Sequence, residues 1–100
     1  MAQLTVIYWR DIPAQVIVRS GRTSAKRELP ARFQEAIDRA AMRGGARDTD
    51  AYLAAWRRAE PVACGDALED EANVAAAMLD AAYDETRLAT LVAAGGHATP

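Results

Sequence analysis

The sequence predicts an α+β domain: an N-terminal antiparallel β-hairpin or three-stranded sheet covered by three or four α-helices. Three observations lead there. Residues 3–19 hold two strand-like runs joined by a short Pro-containing connection. After Pro30 the apolar spacing changes from two residues to that of a helix. Strands come first and helices later, the order of an α+β chain. One hundred residues make one domain, and a chain of this size buries about two-thirds of its unfolded surface. The expected domain spans residues 1–94, and residues 95–100, with two glycines and a proline, read as a flexible tail.

Gln3 to Trp9 reads as the first strand, with Leu4, Val6 and Tyr8 on one face and Thr5, Ile7 and Trp9 on the other. Arg10 to Ala14 turns the chain, because Pro13 fixes its own φ and removes a donor. Gln15 to Arg19 returns antiparallel, and Gly21 supplies the next turn. Thr23 to Leu29 is a candidate third strand of poor β propensity, whose Lys26 and Arg27 suit an exposed edge.

Pro30 opens the first helix, with Phe33, Ala36, Ile37, Ala40 and Ala41 at helical spacing, and Gly44-Gly45 ends it. Asp48 or Thr49 caps a second helix through about Arg58, with Tyr52, Leu53 and Trp56 inward. Cys64 then falls in a helix-to-helix loop. Asp66 with Glu69 three residues later reads as the start of a third helix running to about Tyr83. Asp84 begins a fourth, through about Ala93. The expected core is Leu4, Val6, Val16, Val18, Phe33, Ile37, Leu53 and Trp56.

The net charge of −2 hides a division. Residues 1–47 carry nine Lys/Arg and four acids, whereas residues 48–100 carry three Arg and ten acids. The division fits an anion-binding first half, or two halves that fold together with complementary surfaces. One cysteine excludes an intramolecular disulfide and a multi-cysteine metal site within one chain. No secretory pattern and no apolar run of about 18 residues is present, so a cytoplasmic protein with no membrane contact is the expectation.

The basic strip around the hairpin is the candidate binding site: Tyr8, Trp9, Arg10, Arg19, Arg22 and Arg27. Guanidinium groups match phosphate or carboxylate oxygens in a two-pronged fork, and Tyr8 or Trp9 offers a ring for stacking. The plainer reading is a solvated edge paired to Asp11, Glu28 and the acidic second half. No Gly-rich phosphate loop opens a helix. Asp11 beside Arg10 reads as ionised and structural rather than catalytic. His97 lies in the tail, and Ser20, Thr23 and Ser24 have no nearby His. No catalytic residue, metal site or cofactor is assigned.

Ile7-Tyr8-Trp9-Arg10-Asp11-Ile12-Pro13-Ala14-Gln15-Val16, with Asp48-Thr49-Asp50-Ala51-Tyr52-Leu53 and Trp56-Arg57-Arg58, resembles the small bacterial virulence-factor domain family. The resemblance covers roughly residues 3–58. The same domain occurs inside longer proteins called conserved virulence factor C, beside an iron–sulfur scaffold-like segment and helical repeats; this chain is similar to the stand-alone form. The resemblance implies no enzyme activity and supplies no catalytic residues. It links stand-alone members to folate and corrinoid one-carbon genes. The expected function is a non-catalytic accessory or protein-interaction module with a protein partner or a second copy of itself. The alternatives are a component of a one-carbon enzyme system whose arginines hold a polyanionic small molecule, and a weak nucleic-acid binder. Nucleic acid ranks last because the whole chain is net acidic.

Overall fold

The computed structural model describes residues 2–45 and 48–98. Its elements are β1 (Ala2–Trp9), β2 (Ile12–Ser20), β3 (Thr23–Glu28), α1 (Ala31–Arg43), α2 (Thr49–Ala54), β4 (Trp56–Arg58), β5 (Val62–Cys64), α3 (Leu68–Ala82) and α4 (Glu85–Ala93). The α+β class is as expected. The third strand forms, and two further short strands that sequence periodicity did not reveal extend the sheet to five. The order is β3-β2-β1-β4, with β5 also on β1, and every pairing is antiparallel. Among the described residues no helix is long and apolar enough to cross a membrane.

The first hairpin is tighter than predicted. Trp9 pairs with Ile12, so only Arg10 and Asp11 connect the strands, and Pro13 lies within β2 opposite Tyr8. The irregularity between Ile7 and Tyr8 absorbs the extra residue. Arg10 adopts φ 53°, a left-handed conformation that costs a side-chain-bearing residue about 1–2 kcal/mol. Backbone hydrogen bonds hold it there: Arg10 N–H donates to Ala55 O at 3.0 Å and Asp11 N–H to Gly96 O at 2.8 Å.

Two clusters make the core. In one, Ala2, Val16, Val18 and Ala25 of the sheet meet Ala72 of α3, with Leu4 and Val6 packed alongside. In the other, Trp9 and Ile12 meet Phe33, Ile37 and Ala40 of α1 and Leu88 and Leu91 of α4. Ala76 and Leu79 of α3 touch both clusters and join them. Phe33 and Ile37 are at most 1% exposed, and burying side chains of this kind contributes about 1.5–3 kcal/mol each.

The second helix departs most from expectation. It stops at Ala54, and Trp56 to Arg58 pair with β1 as an edge strand. A six-residue helix has little cooperative stability of its own, while Trp suits a half-covered pleat. Trp56 is therefore partly exposed rather than core, and Leu53 is 58% exposed. Of the expected core, Val16, Val18, Phe33 and Ile37 are buried, and Leu4 and Val6 are half-buried. Cys64 lies in β5 opposite Ala2, not in a loop. Pro30 is the residue before α1 rather than its first. Asp66 does not cap α3: Ala67 occupies that position without a side-chain bond, and Glu69 pairs with Arg27 instead. Asp48 and Asp84 do cap, accepting from Ala51 N–H and Arg87 N–H at 2.8 Å each.

The segment after α4 is bonded to the hairpin, unlike the tail expected from its glycines. Gly95 O accepts from Arg10 Nη1 at 2.6 Å, and Ala98 N–H donates to Asp11 Oδ2 at 2.7 Å. Gly95 and Gly96 are buried. Thr99 and Pro100, the rest of the expected tail, lie outside the described residues.

Candidate functional site

The six residues singled out in the sequence do not converge. Arg10 sits at one end of β2 and Arg22 at the other, since Arg10-Asp11 and Gly21-Arg22 are the turns flanking that nine-residue strand. At about 3.3 Å per residue the separation approaches 30 Å. Arg19 and Arg22 are exposed at the far end. Arg27 is engaged with Glu69 and donates from Nε to Asn73 Oδ1 at 2.7 Å, tying β3 to α3.

Trp9 is 0% exposed and so cannot be a surface contact. Its indole N–H donates to Tyr52 O at 2.9 Å, and the two rings lie 5.7 Å apart, tilted by 33°. Helices α1 and α4 and the segment around Gly96 bury it within the monomer. Arg10 is half-buried over the Trp9 ring, 4.8 Å from its centroid, and holds Gly95. Of the six, Tyr8 lines an open cleft.

That cleft, about 490 Å³, is bounded by Tyr8 and Asp11 of the hairpin, Arg57 of β4, Tyr83 at the end of α3, Arg87 of α4, and His97. The strand pairing that places Arg57 opposite Tyr8 positions the first half. The guanidinium of Arg57 lies 4.5 Å from the Tyr8 ring centroid, and that of Arg87 lies 3.8 Å from the Tyr83 centroid. Both are within cation–π range, about 6 Å. The cleft thus presents two cations, each over a tyrosine ring.

The cations differ in their commitments. Arg57 donates from Nε to Arg10 O at 2.9 Å and from Nη2 to Asp11 Oδ1 at 3.0 Å. Arg87 donates from Nη1 to Ala82 O at 3.1 Å and pairs with no acid among the described residues. The Ala98 N–H, together with Arg57, holds the Asp11 carboxyl below its usual range despite partial burial. Burial pushes the Tyr8 hydroxyl up, and Tyr83 adds to this more than Arg57 and Arg87 oppose it. Tyr8 is therefore a neutral hydroxyl near neutral pH, a donor as well as an acceptor.

Sequence reading missed Arg57, Tyr83, Arg87 and His97 as site residues. Arg57 falls within the expected second helix, Arg87 within the expected fourth, and His97 within the expected tail. The one local signal was the helix-breaking Glu60-Pro61 two residues after Arg58, which shortens the room for a helix there but does not by itself mark a strand. Elsewhere, burial and then Glu71 and Asp66 push the Cys64 thiol up, away from the reactive thiolate. Among the described residues no three His, Cys, Asp or Glu side chains are placed to hold a metal ion.

No curated protein and no solved structure matches the chain. The family model described as Virulence factor matches residues 7–92. The match runs beyond the hairpin and β4 through α3 and most of α4, so Tyr8, Arg57, Tyr83 and Arg87 all lie within it. With the match spanning most of its length, the chain belongs to the virulence factor domain family.

Proposed function

We propose that the domain is a non-catalytic binding module that receives an anionic group of its partner in the Tyr8–Arg57–Tyr83–Arg87 cleft. The carrying observation is that two guanidinium groups, brought from β4 and α4, lie on tyrosine faces in one open cleft. Stacking leaves the edges of a guanidinium available for hydrogen bonds while its face is covered. The ring beneath favours the cation and holds the fork in place, which lowers the ordering cost of binding. This moves the interaction surface from the arginine strip expected along the hairpin to the end where Tyr8 meets β4 and α4.

The test is thermal unfolding of the full chain with a panel of small anions at constant ionic strength, choline chloride serving as control. A ligand that binds only the folded state raises the midpoint by mass action. Saturable stabilisation of the wild type, absent in Arg57→Gln plus Arg87→Gln, supports the reading. No anion-specific shift in the wild type refutes it.

A further inference from the structure

We propose that the anionic group taken by the cleft is a single carboxylate carried beside a flat apolar body, supplied either by a free small molecule or by a peptide C-terminus. This rests on the reading above and adds the chemical class.

Charge comes first. Arg57 and Arg87 bring two positive charges, and Asp11 returns one negative charge, already engaged with Arg57. Counting arginines and carboxylates, the formal excess is one charge, centred on Arg87. A monoanion neutralises it. A dianionic phosphate would set its second charge against Asp11, a carboxylate that keeps its own charge because Ala98 N–H and Arg57 both bond it. Like charges brought together in a partly desolvated site are costly.

Donor geometry agrees. Arg87 uses Nη1 on Ala82 O and, among the described residues, has Nε and Nη2 left, the edge that matches the two oxygens of a carboxylate in parallel hydrogen bonds. The Tyr8 hydroxyl, kept neutral by burial and by its neighbour Tyr83, adds a polar group to the rim. A carboxylate has no proton of its own to place, so a donor-rich rim suits it. The rest of the lining explains the flat body. Tyr8, Tyr83, Leu91 and Ala59 bring aromatic and aliphatic side chains to the same cleft, and a planar apolar group fits between such surfaces.

The experiment is an NMR titration of the full-length ¹⁵N-labelled chain with four probes: phenylacetate, phenyl phosphate, citrate, and a tripeptide ending in Phe as the free acid or the amide. The expected result is saturable phenylacetate binding that shifts the amides of Tyr8, Ala59 and Ala98. Phenyl phosphate at a pH where it is dianionic, and citrate, should bind at least fivefold more weakly. Arg87→Gln should weaken phenylacetate at least tenfold, while Arg58→Gln, one β4 residue beyond Arg57 and outside the cleft lining, should change it less than twofold. Arg87 is exposed, so the fold should survive; Arg87→Lys, keeping charge but not the fork, should also lose most of the affinity. A peptide acid at least tenfold tighter than phenylacetate, with a silent amide, assigns the carboxylate to a chain terminus. Equal affinities assign it to a small molecule. Tighter Arg87-dependent binding of phenyl phosphate or citrate overturns the carboxylate assignment and leaves the anion cleft standing. Silence from every probe, or phenylacetate binding unchanged in Arg87→Gln, overturns the proposal.

Discussion

Replacing Trp9 with Ser tests whether the hairpin aromatic is core. The indole is 0% exposed and sits in the cluster with Ile12, Phe33, Ile37, Leu88 and Leu91. Truncating a buried aromatic of this size costs about 3–5 kcal/mol, as transfer and cavity terms add. Loss of the indole N–H leaves Tyr52 O without its donor at 2.9 Å, which adds about 1 kcal/mol. The expected total is about 4–6 kcal/mol, a large share of the roughly 5–15 kcal/mol that holds a domain. Urea unfolding followed by far-ultraviolet circular dichroism avoids confusion with Trp56 fluorescence. At a slope of about 1.5 kcal/mol/M the midpoint should fall by roughly 3–4 M, or the variant should be unfolded without denaturant. Trp9→Phe keeps most of the ring and loses the donor, so about 1–2 kcal/mol is expected. A Trp9→Ser chain with the wild-type midpoint would refute the burial and return Trp9 to the surface.

Other expectations follow from single residues. Trp56→Ser should cost about 1–2 kcal/mol in the same urea experiment, less than Trp9→Ser, because Trp56 is only partly buried. Gly96→Ala should destabilise more than Gly21→Ala: both have positive φ, but a Cβ at Gly96 would lie 2.9 Å from Trp9 Cζ3, whereas Gly21 has nothing within 4 Å. The left-handed backbone alone accounts for about 1 kcal/mol at either site. Tyr8 favours its neutral form in the fold, so its contribution to stability is complete below the unfolded pKa of about 10 and is lost as pH rises through the higher folded value. Alkaline spectrophotometric titration at 295 nm should show a late-titrating phenol component that Tyr8→Phe removes. Fluorescence anisotropy with labelled DNA and RNA near physiological salt should show no sub-micromolar binding; tight binding lost in Arg19→Glu plus Arg22→Glu would place a nucleic-acid site at the far hairpin end.

Local chemistry made much of the fold legible. Two-residue alternation from Leu4 to Val18 gave the hairpin, and Phe33, Ala36, Ile37, Ala40 and Ala41 gave the buried face of α1. What failed depends on distant partners. Trp56 to Arg58 are strand only because β1 offers them an edge, and no pattern within three residues reports that. The Asp66–Glu69 capping signal was present, but Glu69 found Arg27 on β3, so tertiary pairing overrode the local box. Gly95 to Ala98 looked structureless because its partners are Arg10 and Asp11, 85 and 87 residues away along the chain.

The candidate site was less legible than the fold for the same reason. Composition drew attention to arginines close together in sequence, but nearness along an extended strand becomes distance in space: Arg10 and Arg22 end up at opposite ends of β2. Arg57 and Arg87, which share the Tyr8 cleft, come instead from β4 and α4, and each is recognisable only once a tyrosine lies beneath it. Arg10 and Asp11 then act as the joint between fold and site. The left-handed Arg10 turns the chain, its side chain holds Gly95, and its carbonyl oxygen accepts from Arg57. Asp11 binds Arg57 with one carboxylate oxygen and the Ala98 amide with the other. Left-handed strain at a non-glycine residue persists only where surrounding contacts over-determine it. Here two of those contacts, through Arg10 O and Asp11 Oδ1, also aim Arg57 into the cleft, so the strained turn and the proposed ligand site form one unit: loosening the turn should misplace Arg57 before it unfolds the domain.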